Sequence, residues 1–256
     1  MKFIDLNCDT GEIAEAIANG TQESLMPFVT SVNVACGGHA GDENTMKATI
    51  EQALRWKLAV GAHPGYHDRA HFGRRELHIS AEAIAESVFE QVRELDRMAE
   101  NCGSRLVHVK PHGALYNQAA RERSLAEAIA AGVARWDRDL ILVGLAGTPM
   151  LDAFREAGFS VAAEAFADRR YEPDGTLRSR QHEDALIRDP AEAGRQALRI
   201  VKSGKAIACD GSEVPVSAQT ICIHGDTEGA AEIAEAVAQT LRQAGVLLRP
   251  LGVFGV

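Results

Sequence analysis

The sequence predicts an α/β fold: a (β/α) barrel of about seven parallel strands in one domain over residues 1–256, with a small β-hairpin inserted near 205–218. Three observations predict it. Short apolar runs alternate with amphipathic helical patterns about seven times along the chain. Five of the seven strand candidates are apolar in one phase and polar in the other, whereas a parallel sheet buried on both faces should read almost continuously apolar. The polar phase gathers toward the C-terminal ends of the strands, where barrel enzymes keep their sites. An open doubly wound sheet is the alternative closure.

The elements follow in order. FIDLNCD (3–9) alternates Ile4, Leu6 and Cys8 with Asp5, Asn7 and Asp9. FVTSVNVAC (28–36) is the second strand, and the helix over 42–57 opens on Asp42 as its cap. KLAVGAHP (57–64) leads into a polar loop, 64–79, with three histidines and the tandem Arg74 and Arg75. The helix over 80–103 opens on Ser80 and closes on Gly103. SRLVHVKPH (104–112), LILVGLAG (140–147), FSVAAEAF (159–166) and QTICIHGD (219–226) complete the strands, with helices at 123–136, 148–158, 189–204 and 227–245. The long connection 167–218 breaks the rhythm, as lids and binding loops do, and Asp210-Gly211 marks a hairpin within it.

Composition bounds the partners. The chain is 46% hydrophobic and 25% charged, and its net charge of −9 argues against nucleic acid, which needs clustered Lys and Arg. Five scattered cysteines without a CxxC pair suggest neither a disulfide framework nor a structural zinc site. The N-terminus is not a signal peptide and no run is apolar enough to span a membrane, so a cytoplasmic protein is expected.

The lumen-facing set is the functional evidence. It comprises Asp5, Asn7 and Asp9; Ser31, Asn33 and His39 beyond it; Gly61 and His63; His108, Lys110 and His112; Glu164 and Asp168; and Cys222, His224 and Asp226. Burying one unpaired polar group costs roughly 1–3 kcal/mol, so these groups must pair with one another, with water or with a ligand. A structural reading stands beside each functional one. Asp5 could simply receive hydrogen bonds from backbone or Lys110, Asn7 and Asn33 could satisfy loops, and His108 reads as a packed core histidine. Asp226 could cap the last helix, while His67, His71, His78 and His182 read as solvated. Asp9, His63, Lys110, His112 and His224 end strands at the presumed mouth, which favours chemistry. Gly37, Gly38 and Gly41 precede a helix and could let backbone N–H groups approach an anion. No P-loop, GxGxxG or GxSxG occurs, and Asp9, His39 and His63 could on paper form a metal site.

Five stretches then stand in register: DLNCDTGE, SVNVACGGHAGD, GAHPGYHD with FGRR, VKPHGALYN and IHGD. Together they resemble the LamB/YcsF family, from residue 5 to about residue 250. The resemblance implies the A component of a prokaryotic ATP-dependent 5-oxoprolinase, opening 5-oxo-L-proline to L-glutamate with hydrolysis of ATP, in company with subunits B and C. It implies a seven-stranded barrel related to glycoside hydrolase and deacetylase barrels. ATP enters as co-substrate, and the complex rather than this chain could bind it. Under this reading the catalytic set is Asp9, Lys110, His112 and His63. The substrate-binding set is Asn7, Glu12, Asn33, Gly38, His39, Arg74, Glu164, His224 and Asp226, with Arg75 a further partner for the substrate carboxylate. Two rival readings remain: a metal-dependent amide or sugar deacetylase using a divalent ion, and a non-catalytic binding or scaffold subunit.

Overall fold

The computed structural model describes residues 2–226 and 229–252. In chain order the elements are β1 (Phe3–Thr10), α1 (Ala14–Ala18), β2 (Ser31–Ala35), α2 (Glu43–Arg55), β3 (Ala59–His63) and α3 (Ala81–Asn101). There follow β4 (Leu106–Val109), α4 (Gly113–Ala119), α5 (Arg123–Ala134), β5 (Ile141–Leu145), α6 (Pro149–Glu156) and β6 (Val161–Phe166). The chain ends with α7 (Pro190–Ser203), β7 (Lys205–Ile207), β8 (Glu213–Pro215), β9 (Thr220–Ile223), α8 (Ala230–Gln243) and β10 (Leu247–Leu248).

Strands β1 to β6 and β9 are all parallel, and β9 pairs with both β6 and β1, closing a seven-stranded barrel. The closed form therefore replaces the open-sheet alternative. β10 adds an eighth strand beside the start of β1, outside the closure. The hairpin β7–β8 is antiparallel, and its turn runs over Ala208–Ser212 with Gly211 at φ 87°. The hairpin expected from Asp210-Gly211 is therefore present, with a loop wider than two residues.

The apolar phase meets the helices. Ile4, Leu6, Cys8, Val32, Val34 and Ile221 are buried against an outer ring that includes Ile50, Leu95, Ile129 and Val237. Burial of such side chains is worth about 1.5–3 kcal/mol each, so this layer carries the fold. The helix ends follow the capping residues: Asp42 and Thr45 form a reciprocal capping box on α2, and Ser80 caps α3. Asp226 does not cap the last helix. The N-cap of α8 is Gly229, and Asp226 is turned toward Arg74 and Arg180 instead.

The register holds one irregularity that the site needs. The β3–β4 pairing shifts between Val60 and Gly61, and Gly61 lies opposite His108. A Cβ on Gly61 would stand 2.1 Å from His108 Nε2, so this strand position must be glycine for the imidazole to lie inside the barrel. The β5 side of the lumen is apolar, with Ile141, Val143 and Ala162 packed on Leu251.

Candidate active site

The polar phase fills the lumen in layers. In the lowest, Asp5 accepts hydrogen bonds from Thr30 Oγ1 at 2.7 Å, Ser31 Oγ at 2.9 Å and the Thr220 hydroxyl. Its partners are hydroxyls, neither backbone nor Lys110. Burial pushes the Asp5 carboxyl up to about 6, against the pull of those three hydroxyls.

Above it, every atom of the two amides is used. Asn7 Nδ2 donates to Glu164 Oε1 at 3.0 Å and Thr220 Oγ1 at 2.7 Å, and its Oδ1 accepts from Asn33 Nδ2 at 2.7 Å. Asn33 also donates to Asp9 Oδ1 at 2.8 Å and accepts from His108 Nε2 at 2.8 Å. Because an amide oxygen can only accept, His108 carries its proton on Nε2. Burial lowers the His108 pKa to about 3, with Lys110 adding to the effect, so the ring is neutral. Asn7, Asn33 and Glu164 sit beneath the cavity and do not line it. The structure places them as a platform for what stands above.

The third layer is Lys110. Its Nζ lies 2.9 Å from Asp9 Oδ1, 3.0 Å from Glu164 Oε1 and 3.0 Å from Cys222 Sγ. Burial alone would favour a neutral amine, but Asp9 foremost holds the pKa well above the ordinary lysine value. On Asp9, burial is outweighed by His63 and Lys110, which hold its carboxyl well below the usual carboxylate range. The outer oxygen, Oδ2, faces His63 Nε2 at 3.5 Å. Burial opposes a charge on His63, the Asp9 carboxylate outweighs it, and the pKa rises. His63 Nδ1 donates to the Lys110 carbonyl at 2.7 Å, which fixes the ring.

At the rim three imidazoles converge on one carboxylate. Glu12 Oε1 lies 3.0 Å from His39 Nε2, 3.2 Å from His112 Nδ1 and 3.8 Å from His63 Nε2. His112 Nδ1 and His63 Nε2 are 3.0 Å apart. His112 Nε2 donates to the Phe72 carbonyl at 2.9 Å. The His39 and His112 rings are stacked, with centroids 3.5 Å apart and planes 4° apart. Burial lowers the pKa of both rings, His39 to about 3. Glu12 is held below its usual range, since its contacts with His112 and His39 outweigh its burial.

These groups open onto a cavity of about 890 Å³, a size suited to a small molecule. Asp9, Glu12, His63, Lys110, His112, His224, Arg74 and Asp226 all line it. His224 is set by Asp168, whose Oδ2 accepts from the His224 backbone at 2.9 Å and whose carboxylate lies 3.0 Å from the ring Nδ1. His39 stands behind Glu12, away from the cavity. Gly38 does not face it either. A Cβ there would meet Gln91 Oε1 at 2.4 Å and the Gly65 carbonyl at 2.5 Å, so this glycine serves packing. The Arg69 side chain occupies the carbonyls of Gly37 and Gly41 in that turn. Arg74 is paired with Asp226 and Arg75 lies 3.6 Å from Asp68.

Among the cavity residues that sequence reasoning missed, Arg169 and Arg180 carry charge suited to an anion. Arg169 is 6% exposed, and burial, with Arg180 nearby, lowers its pKa to about 10. Its terminal nitrogen donates to the Arg178 carbonyl at 2.6 Å while its buried Nε has no partner. The available signal was five arginines (169, 170, 178, 180 and 188) in the irregular connection of an acidic chain.

Comparison with known proteins supplies the relationship. The model of the LamB/YcsF family matches residues 4–254. The chain belongs to the LamB/YcsF family. One LamB/YcsF relative, from Chloroflexus aggregans and named as the A subunit of 5-oxoprolinase, is 51% identical over 249 residues, covering 97% of this chain and 99% of the relative. A solved structure of a lactam utilization protein from Thermus thermophilus superimposes with a TM-score of 0.90 at 44% identity, covering 98% of this chain and 100% of that one. A family 4 carbohydrate esterase from Streptomyces lividans shares the barrel alone, with a TM-score of 0.53 at 10% identity, covering 96% of this LamB/YcsF chain and 91% of that one. Among the described residues no helix is long and apolar enough to cross a membrane.

Proposed function

We propose that this chain is the A component of an ATP-dependent 5-oxoprolinase, which opens the lactam of 5-oxo-L-proline to L-glutamate as ATP is hydrolysed to ADP and phosphate. The full-length match to a relative named for that component carries the reading. Subunits B and C complete the enzyme, and ATP is a co-substrate of the assembly.

The cavity chemistry fits this reaction. A lactam carbonyl is a poor electrophile, and phosphorylation of its oxygen by ATP makes the ring carbon open to water. Water attack forms a C–O bond and moves the C=N electrons onto the ring nitrogen; collapse breaks the ring C–N bond to free the amine, and a second water releases phosphate from the resulting acyl phosphate. Lys110 supplies a cation for the negative charge of the phosphorylated oxygen, already desolvated and oriented by Asp9 and Glu164. Asp9 Oδ2, with His63 Nε2 beside it at 3.5 Å, takes the water's proton. Arg169, a buried guanidinium on the cavity wall, is suited to the substrate carboxylate.

The test is ATP-dependent glutamate formation by the chain combined with B and C. Asp9→Asn and Lys110→Met are each expected to lower turnover by about 10²-fold or more, the scale of a lost charge-stabilising group. Unchanged turnover in both variants overturns the site assignment. Lactam opening without ATP overturns the reaction.

A further inference from the structure

The donor atoms at the rim make a demand that the proposed reaction does not explain. Nδ1 of His63 and Nε2 of His112 each lie against a backbone carbonyl, of Lys110 and Phe72 respectively. A carbonyl only accepts, so both of those nitrogens carry the protons. With both rings neutral, the two remaining ring nitrogens face each other as acceptors at 3.0 Å, and a carboxylate oxygen of Glu12 joins them at 3.2 and 3.8 Å. Three donor atoms converge on one point, which a shared proton or a bound cation can fill.

We propose that His63 Nε2, His112 Nδ1 and Glu12 bind a divalent transition-metal ion, of the zinc or cobalt type, at the wall of the cavity. A triangle with sides of 3.0, 3.2 and 3.8 Å has a centre about 2.0 Å from each corner, which matches zinc–nitrogen and zinc–oxygen distances. The two rings stand at 88° to each other, so both can aim a lone pair at that centre. Each donates its far N–H to a carbonyl, the arrangement that fixes tautomer and direction in histidine ligands. All three ligands line the cavity, which leaves an open position toward it, as sites that use their ion keep.

His39 is excluded from the set by geometry. Its ring is parallel to His112 at 3.5 Å, so no single ion lies in the plane of both. Its Nε2–H donates to Glu12 at 3.0 Å and it does not line the cavity, which makes it a positioning residue for the carboxylate. Asp9 is likewise not a ligand: its Oδ1 is taken by Lys110 and Asn33. The ion would use the His63 lone pair and leave Asp9 Oδ2 as the proton acceptor. The inference concerns ion binding alone and does not depend on the proposed reaction.

The experiment strips the purified chain with a chelator, reloads it with Zn²⁺ or Co²⁺, and measures metal per chain after gel filtration. About one ion per chain is expected, with the d–d spectrum of a low-coordinate cobalt site. Glu12→Gln, His63→Ala and His112→Ala should abolish stoichiometric binding. His39→Ala should weaken it about 10–100-fold, and His182→Ala, an exposed control, should leave it unchanged. Circular dichroism checks that each variant is folded. Should the ligand variants fail to fold, anomalous scattering from zinc-soaked wild-type crystals decides: a peak between His63 Nε2 and His112 Nδ1 supports the site. No stoichiometric binding by the wild type, binding retained in folded ligand variants, or a peak elsewhere only, overturns it.

Discussion

Lys110 Nζ lies 2.9 Å from Asp9 Oδ1 with both side chains almost wholly buried, and the pair joins the segment after β4 to β1 across the barrel lumen. Breaking one side of such a pair strands a charge in a low-dielectric interior, at a cost of about 3–5 kcal/mol. Lys110→Met leaves Asp9 and Glu164 without their cation and should lower stability by that amount. The double variant Asp9→Asn with Lys110→Met should recover part of the stability and none of the turnover. Urea unfolding of the four proteins gives the coupling. Additive losses would show that the pair is not coupled.

Asp5 makes a pH-dependent prediction. Its folded pKa of about 6 exceeds the unfolded value of 3.8. Below pH 3.8 both states are protonated and nothing is lost. As pH rises toward and through 6, the folded state holds a proton that the unfolded state has released, so stability falls. The loss above a pH of about 7 is about 3 kcal/mol. Asp5→Asn removes this slope, so its stability relative to wild type should be greater at a pH of about 7.5 than at about 4.5. An equal difference at both values, by urea midpoints, would contradict the raised pKa.

Gly61 is predicted to tolerate no side chain. An added methyl would meet three atoms of the His108 ring within 2.4 Å, and that ring is held by Asn33. Gly61→Ala should cost about 1–3 kcal/mol through overpacking. Combining it with His108→Ala should return much of the loss, because the colliding ring is gone. Thermal melts of the single and double variants check this, and no rescue would place the strain elsewhere.

Arg169→Met tests the substrate's anchor. Loss of a contact made equally in ground and transition states raises KM and spares kcat. The variant in complex with B and C should show a KM for 5-oxoproline raised at least about tenfold with kcat within a few-fold of wild type. A KM left unchanged removes Arg169 from the site.

The barrel was legible in the sequence because period-two alternation survives in single strands. Asp5, Asn7 and Asp9 against Ile4, Leu6 and Cys8 mark one face of β1 without any partner being known. Which of the three meets solvent is not a property of β1. It depends on register with β2 and β9, where Asp5 lies opposite Thr220 and Asp9 opposite Asn33. The Glu12 cluster was hidden for a similar reason, since its members come from the ends of four different strands and the turns beyond them. Gly38 illustrates the opposite error. A glycine before a helix suggests an anion cradle, yet the approach of Gln91 and the Gly65 carbonyl, both distant in sequence, is what excludes a side chain. Arg169 and Arg180 lie in a connection with no periodicity to assign a face.

The layered lumen also bears on how the chain reaches its fold. Sliding β1 by one residue against its neighbours would turn Ile4, Leu6 and Cys8 inward and drive Asp5, Asn7 and Asp9 among the helices. Each displaced group would lose every partner it has in the native barrel. A misthreaded barrel is thus penalised at three points at once, and the residues that prepare the chemistry also proofread the assembly of the strands.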